Sequence, residues 1–144
     1  MKITAKQLRN WAEGREAQGI LPVLVRRLIA ATSTITAVTM PGRESISLPG
    51  WDGLVEVAKG NAWVPEGRSN WELGCSADVL KKAKSDFFKR SVSEDAALRT
   101  FVFVTPRQWR GKGEWEKKAR GQNIWRDVRA IDADDLEGVM YLGD

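Results

Sequence analysis

The sequence predicts an α/β domain with a mixed central sheet flanked by helices on both faces. Short β-branched or apolar runs alternate with segments of helical periodicity along the chain. Three of these runs follow one another through turns, as in an antiparallel meander. A helical segment then separates each later run from the one before it, as a β-α-β crossover requires. We expect the element order α-α-β-β-β-α-β-α-β-α.

The first two elements are helices. Thr4 has the side chain of an N-cap, and the helix that it starts is expected to reach about Glu16 before the Gln18-Gly19 step ends it. Pro22 is typical of the first turn of a helix, so a second helix is expected from there to about Ala31. The three strands of the meander are then expected over residues 34–39, 53–59 and 70–75.

Helix and strand alternate in the rest of the chain. Ser76 is expected to cap a helix through about residue 90, with Leu80, Ala83 and Phe87 on its apolar face. The uninterrupted apolar run that follows, Arg99–Val104, is typical of a strand buried on both faces. The last three elements are a helix over 114–120, a strand over 125–131 and a helix over 133–140 that Asp132 caps.

Composition narrows the class of protein. The 144 residues, 42% of them hydrophobic, are interpreted as one domain, with the alternative that they form the N-terminal part of a longer protein. The chain has no histidine, which excludes histidine zinc sites, Ser-His-Asp triads and histidine-dependent nucleases. It has one cysteine and neither a signal peptide nor an apolar run that could span a membrane, so we expect a cytoplasmic protein.

Positive charge is concentrated in the middle of the chain, although the net charge is only +4. Such segments favour contact with a nucleic-acid backbone, and solvated helix faces are the alternative interpretation. Trp109 and Trp115 lie among these cations and could stack on bases, or they could belong to the core. The residues predicted to contact nucleic acid are Lys84, Lys89, Arg90, Lys117 and Lys118.

Two tryptophan–acid pairs suggest a reaction centre. They lie in the strings Pro-Gly-Trp51-Asp52-Gly and Trp71-Glu72-Leu-Gly. Neighbouring side chains of a strand point to opposite faces, so a tryptophan that faces the core directs the acid beside it the other way. Two adjacent strands of this kind can bring two carboxylates together. Paired carboxylates with lysines nearby suit a Mg²⁺-dependent phosphodiester hydrolase.

With these motifs, the predicted order resembles the PD-(D/E)XK nuclease superfamily, whose core is αβββαβ. The strings around Asp52 and Glu72, with the lysine-rich segment 82–90, are similar to restriction-endonuclease-like domains related to Mrr-type nucleases. Such domains resemble the N-terminal effectors of some bacterial anti-phage NTPases. The resemblance implies a metal-dependent endonuclease in which Asp52 and Glu72 bind Mg²⁺ or Mn²⁺. Glu56 shares the strand face of Asp52 and is either a further ligand or a solvent-facing acid.

The sequence departs from the family pattern at one position. Residue 74 is glycine, where the Glu-X-Lys arrangement has its lysine. In several branches of the superfamily the following helix supplies that group, and Lys82, Lys84 and Lys89 are the candidates here. A helical wheel places Lys84 nearest the apolar face, whereas the Lys-Ala string favours Lys82. We predict Lys82 as the third catalytic residue, with Asp52 and Glu72.

The predicted function is hydrolysis of double-stranded DNA, as an effector of bacterial defence against phage. A homodimer or higher oligomer is expected to be the active form, because one metal site cuts one strand and duplex breakage needs two. The first alternative is a catalytically inactive nuclease fold that binds or senses nucleic acid. The second is a protein-interaction adaptor, which would show no salt-dependent binding of nucleic acid.

Overall fold

The computed structural model describes residues 4–14, 17–33, 35–39 and 53–142. Within these residues, five helices and five strands follow one another in the predicted order, with a 3-10 turn at Ala96–Leu98 before the fourth strand. The helices are α1 (Ala5–Ala12), α2 (Ala17–Thr32), α3 (Val79–Arg90), α4 (Lys112–Gly121) and α5 (Ala133–Leu142). The strands are β1 (Ile35–Thr39), β2 (Gly53–Val57), β3 (Gly67–Leu73), β4 (Thr100–Val104) and β5 (Asp127–Ile131).

The strands form a mixed sheet in the order β1-β2-β3-β4-β5. The first three pair antiparallel, β4 is parallel to β3, and β5 is parallel to β4. Helix α3 connects β3 to β4, and α4 connects β4 to β5. The predicted meander followed by β-α-β crossovers is therefore confirmed. All five residues of β4 are buried, as expected for an apolar strand between two neighbours.

Helices cover both faces of the sheet, as predicted. One group of buried residues, here called the α2-side core, joins the sheet to α1, α2 and α5 and contains Leu21, Trp71 and Leu136. The α3-side core lies on the opposite face and includes Phe87 and Phe101. Burying each such side chain stabilises the fold by about 1.5–3 kcal/mol. Two cores on opposite faces explain why β4 is buried at every position.

Five of the six described tryptophans are buried, and Trp11 packs partly buried against the α2-side core. Trp63 and Trp71 meet edge to face in the α2-side core, with ring centroids 5.8 Å apart. Trp109 and Trp115, the candidates for base stacking, are only 8% and 6% exposed and pack in the α3-side core. Their rings therefore contribute packing and offer almost no surface to a ligand. Trp51 lies outside the described residues.

The predicted N-cap of the first helix is confirmed, but its predicted end and the predicted start of the second helix were wrong. α1 begins after Thr4, whose side chain accepts a hydrogen bond from the Gln7 N–H, but it ends at Ala12, where the N–H of Gly14 bonds to the Trp11 carbonyl in a tightened turn. α2 begins at Ala17, so Pro22 lies inside it. Burial of one α2 face against the sheet outweighs the hydrogen bond that Pro22 cannot donate. No helix in the described part of the chain is long and apolar enough to cross a bilayer.

The N-cap of α3 also differs from the prediction. Asp78, and not Ser76, accepts a hydrogen bond from the backbone N–H of Lys81, at 3.1 Å. β3 runs over Gly67–Leu73, earlier than predicted: it pairs with β2 from Gly67, and its last partner in β4 is Val104, opposite Leu73. The loop over 74–78 lets the chain leave the sheet before α3 begins. This geometry sets which α3 side chains face the sheet.

Candidate functional site

β3 presents Glu72 on the sheet face that α3 covers. Trp71 and Leu73 pack in the α2-side core. Because strand side chains alternate, Asn70 and Glu72 lie on the other face. The predicted opposition of Trp71 and Glu72 is therefore found. Glu72 is nevertheless only 3% exposed, because α3 lies over it, whereas the sequence suggested an acid pointing out of the core.

The carboxylate of Glu72 forms an ion pair with Arg90 in the last turn of α3. The Nε–H of Arg90 donates to Oε1 of Glu72, and the Arg90 side chain is 26% exposed. A buried carboxylate requires a cation or hydrogen-bond donors, and Arg90 provides both. Arg90 was predicted to contact nucleic acid. In the structure its guanidinium lies beside Glu72, at the candidate site.

Three charged residues follow one face of α3 at intervals of four. They are Lys82, Asp86 and Arg90, and this spacing aligns side chains along a helix. Nζ of Lys82 lies 3.0 Å from Oδ1 of Asp86, which is itself 4% exposed. Together with Glu72 they form a charge cluster of two acids and two cations between α3 and β3. Below, these four residues are called the α3–β3 cluster.

The side chain of Lys82 crosses the backbone at Gly74. A Cβ atom on residue 74 would lie 2.9 Å from Cγ and 3.2 Å from Cε of Lys82, and 3.2 Å from Cζ of Phe103. A side chain at residue 74 would have to displace the Lys82 side chain, so glycine at this position lets Lys82 lie across the backbone. Phe103 belongs to the α3-side core, so Lys82 passes on the same sheet face as Glu72.

The helical wheel that favoured Lys84 was misleading. It included Leu80 in the apolar face, but Leu80 is 42% exposed, and the buried α3 residues are Val79, Ala83, Asp86 and Phe87. Successive helix residues are about 100° apart, so Lys84 points some 200° from Lys82. It is exposed on the outer side of α3.

The other predicted nucleic-acid contacts lie on the outer surface of α3 and α4. Lys84 and Lys118 line an apolar groove of about 520 Å³ between the two helices, which Phe88 also lines. Lys118 pairs with Glu114 at 3.5 Å, with both side chains about three-quarters exposed. Lys89 and Lys117 are exposed as well. Of these four lysines, Lys84 and Lys118 share the groove.

Asp52, the predicted acid partner of Glu72, lies outside the described residues. Glu56, the possible further ligand, stands opposite Arg68 and pairs with it at 3.8 Å. Arg68 is four residues from Glu72 on β3, which corresponds to about 13 Å. Glu56 is therefore too far away to share an ion with Glu72. Within the described ranges, which omit residues 40–52, no three acids, histidines or cysteines are grouped as metal ligands.

Sequence reasoning missed three polar residues near Glu72. Asp86 holds Lys82, and its spacing from Lys82 and Arg90 was visible in the sequence. Asn70 is 1% exposed and accepts a hydrogen bond from Nη1 of Arg99 at 3.3 Å. Asn70 and Arg99 line a small cavity of about 220 Å³ beside β2. No sequence signal connected them, since their contact depends on the parallel pairing of β3 and β4.

Comparisons of the chain with known proteins found no match. No protein-family model matches the chain, and neither a curated protein nor a solved structure does. The likeness to PD-(D/E)XK nucleases therefore stays a prediction from the motifs.

Proposed function

We propose that this domain is a metal-dependent endonuclease that hydrolyses DNA phosphodiester bonds. The observation that carries the proposal is the path of Lys82 across Gly74, on the sheet face that bears Glu72. The Glu-X-Lys arrangement has its lysine at the position of Gly74. The methylene stem of Lys82 occupies the space that such a lysine would begin to fill, and its ammonium lies 3.0 Å from Asp86, which supports Lys82 as a relocated third residue.

The register of the sheet supports Asp52 as the second acid. Asp52 directly precedes Gly53, which stands opposite Trp71 at the start of β2. Continuing this antiparallel register by one residue would pair position 52 with Glu72. Residues on the same strand face and directly opposite each other have Cβ atoms about 5 Å apart. Two carboxylates at that separation would be close enough to hold one ion.

The proposed roles follow from charge. Asp52 and Glu72 would supply the carboxylate oxygens that Mg²⁺ or Mn²⁺ prefers, and the metal, when bound, would activate the attacking water. Lys82 would place positive charge where negative charge develops on the scissile phosphate. Arg90 offsets the charge of Glu72 beneath α3 and holds its carboxylate in one orientation.

The acids are tested by plasmid cleavage with Mg²⁺ or Mn²⁺. We expect Asp52→Ala and Glu72→Ala each to reduce cleavage by about a hundredfold or more, because both would lose a metal ligand. Glu56→Ala is the matched control, since Glu56 is an acid of the same strand region that pairs with Arg68. Cleavage by Asp52→Ala at the wild-type rate would remove the proposed function.

The role of Lys82 is tested by removing its amine and by placing a lysine at residue 74. Lys82→Ala should lower turnover by about a hundredfold with a much smaller change in DNA binding, since the amine acts on charge that develops in the transition state. Lys84→Ala, whose side chain faces away, should leave turnover intact. Gly74→Lys added to Lys82→Ala should recover part of the lost turnover. An inactive Lys84→Ala together with an active Lys82→Ala would reverse the assignment.

A second function is favoured by the pairing within the α3–β3 cluster. Each acid there already faces a cation, Glu72 with Arg90 and Asp86 with Lys82. Such ion pairs are also what a catalytically inactive nuclease fold would keep as internal structure. That protein would bind nucleic acid without cutting it. Its binding would survive EDTA and the Asp52→Ala change, and no plasmid would be nicked at any metal concentration.

The proposed setting is bacterial defence against phage, and it rests on the resemblance to effectors of anti-phage NTPases. A dimer belongs to the same proposal, because two sites must face opposite strands of a duplex. Fusion to a dimerising coiled coil should convert nicking into double-strand cleavage. A monomer that linearises plasmid at a rate independent of protein concentration would contradict the dimer.

A further inference from the structure

A second concentration of charge lies at the opposite end of α3 from Arg90. It is a cavity of about 650 Å³ between α1 and the loop that follows β4. Among the described residues that line it, the cations are Lys6 and Arg9 from α1 and Arg107 and Arg110 from the loop, and the one carboxylate is Glu13. The lining therefore has a surplus of three positive charges. Below, it is called the basic cavity.

Arg107 forms the fixed wall of the basic cavity. Its Nε–H donates to the Cys75 carbonyl at 2.6 Å, its Nη1 lies 2.7 Å from Oε1 of Glu13, and its side chain is 15% exposed. The hydrogen bond and the charge of Arg107 lower the pKa of Glu13, so this acid stays ionised and committed to Arg107. Arg107 thus holds α1 to the loop after β3 and cancels the one acid of the cavity.

The other three cations remain available. Within the described ranges, no carboxylate pairs with Lys6, Arg9 or Arg110, and all three side chains are exposed. Like charges brought to one cavity repel one another unless an anion binds between them. The cavity lies beyond the carboxyl ends of the parallel strands β3 and β4, where open α/β sheets bind their ligands. Its volume falls in the range of about 300–1,000 Å³ that is typical of ligand sites.

We infer that the basic cavity binds a phosphoryl group that carries two or more negative charges. Arginine presents several N–H donors in a planar fork that matches phosphate oxygens, and lysine adds a point charge. No aromatic side chain lines the cavity among the described residues, so a base finds no aromatic ring to stack on there. Recognition is therefore of the phosphate itself, either as a free anion or at the end of a nucleic-acid strand. None of these residues belongs to the proposed catalytic set, so the inference stands without the nuclease proposal.

The test is calorimetric titration of the whole chain with inorganic pyrophosphate at about 50 mM salt, where screening is weak. Arg9→Gln with Arg110→Gln should weaken binding by about tenfold or more, since each removes charge-assisted hydrogen bonds. Arg26→Gln with Arg27→Gln is the matched control, because both are exposed on α2 and remove the same charge. Circular dichroism checks that both variants fold. Failure of the wild type to bind pyrophosphate, or equal weakening in both variants, would overturn the inference.

Two oligonucleotides distinguish the source of the phosphate. Single strands of one sequence, with and without a 5′ phosphate, are compared on the wild type and on the cavity variant. A strand-end ligand predicts tighter binding of the phosphorylated strand, and the cavity variant should lose that preference. Equal binding of the two strands, with pyrophosphate binding kept, assigns the cavity to a free anion. A preference that persists in the cavity variant would place strand-end recognition elsewhere and overturn that assignment.

Discussion

The two members of the Glu72–Arg90 ion pair differ in their access to water. The Glu72 side chain is 4% exposed and the Arg90 side chain 26%. If Glu72 is shortened, Arg90 at the end of α3 can turn toward solvent. If Arg90 is shortened, the carboxylate stays beneath the helix and loses the cation that faces it. Breaking a buried pair is most destabilising when the remaining charge cannot be rehydrated.

We therefore expect Arg90→Ala to lower the free energy of unfolding by about 3 kcal/mol and Glu72→Ala by about 1 kcal/mol. Urea denaturation measures both values. Lys89→Ala, an exposed neighbour in the same helical turn, is the control and should stay within about 0.5 kcal/mol of the wild type. A larger effect for Glu72→Ala than for Arg90→Ala would contradict this account of the pair.

Cys75 is a free cysteine that packs partly buried against the α2-side core. Burial raises the pKa of the Cys75 thiol to about 11, although the charge of Arg107 acts in the opposite direction. Relative to an ordinary value of 9.0, the thiolate fraction near pH 8 is then about a hundredfold smaller.

Alkylation by iodoacetamide should therefore be about a hundredfold slower in the native chain than in the urea-unfolded chain between pH 7 and 8, since the thiolate is the nucleophile. The rate is followed by mass spectrometry of the alkylated chain, and the unfolded chain is the internal control. Equal rates in the two states would show that the thiol is not shielded.

At the scale of the element, the start of α3 determines which side chains reach the sheet. Asp78 accepts the hydrogen bond from Lys81 N, so Lys82 lies in the first turn of the helix, directly after the loop from Gly74. If the helix started at the same point in space with Ser76 as its cap, the shift by two residues would rotate these side chains around the axis by about 200°. The cap is therefore part of what brings Lys82 to Gly74.

Asp78→Ala should destabilise the domain by about 1 kcal/mol, the usual effect of losing an N-cap. Ser76→Ala tests the residue that the sequence favoured and should change the free energy of unfolding by less than about 0.5 kcal/mol. Thermal or urea denaturation of the two variants, measured together, gives the comparison. The opposite ranking would return the cap to Ser76.

At the scale of the whole molecule, Asp132 connects the end of β5 to three other elements. It is 2% exposed and accepts the Trp109 N–H at 2.9 Å, and the ammonium of Lys112 in α4 lies 3.0 Å from it. It also accepts the N–H groups of Asp134 and Asp135, so it caps α5 as predicted. Burial acts to raise the pKa of Asp132, but these donors outweigh it and hold the pKa below the ordinary value of 3.8.

A carboxyl with a lowered pKa in the folded state stabilises the fold above its unfolded pKa, and this contribution is lost as the pH falls through the folded-state pKa. We expect the free energy of unfolding to decrease below about pH 4, and Asp132→Asn to flatten that decrease. Denaturation at several pH values between 3 and 7 measures the slope. Glu114→Gln, an exposed acid, is the control. An unchanged slope in Asp132→Asn would assign the acid sensitivity to other carboxyls.

The order of the ten described helices and strands could be predicted from the sequence, because hydrophobic periodicity and turn residues are local signals. The sequence also placed Trp71 and Glu72 on opposite faces of one strand, since alternation is a property of any strand. The N-cap at Thr4 and the cap of α5 at Asp132 follow from local hydrogen bonding in the same way.

Which residues lie against each face of the sheet depends on the tertiary structure. α2 continues past Pro22 because it packs on the sheet. α3 buries the Glu72 carboxylate against Arg90. The meeting of Lys82 with Gly74 depends on where α3 begins and how it crosses β3. These contacts join residues from separate elements, and their free energy comes from burial and ion pairing that exist only once the sheet has formed.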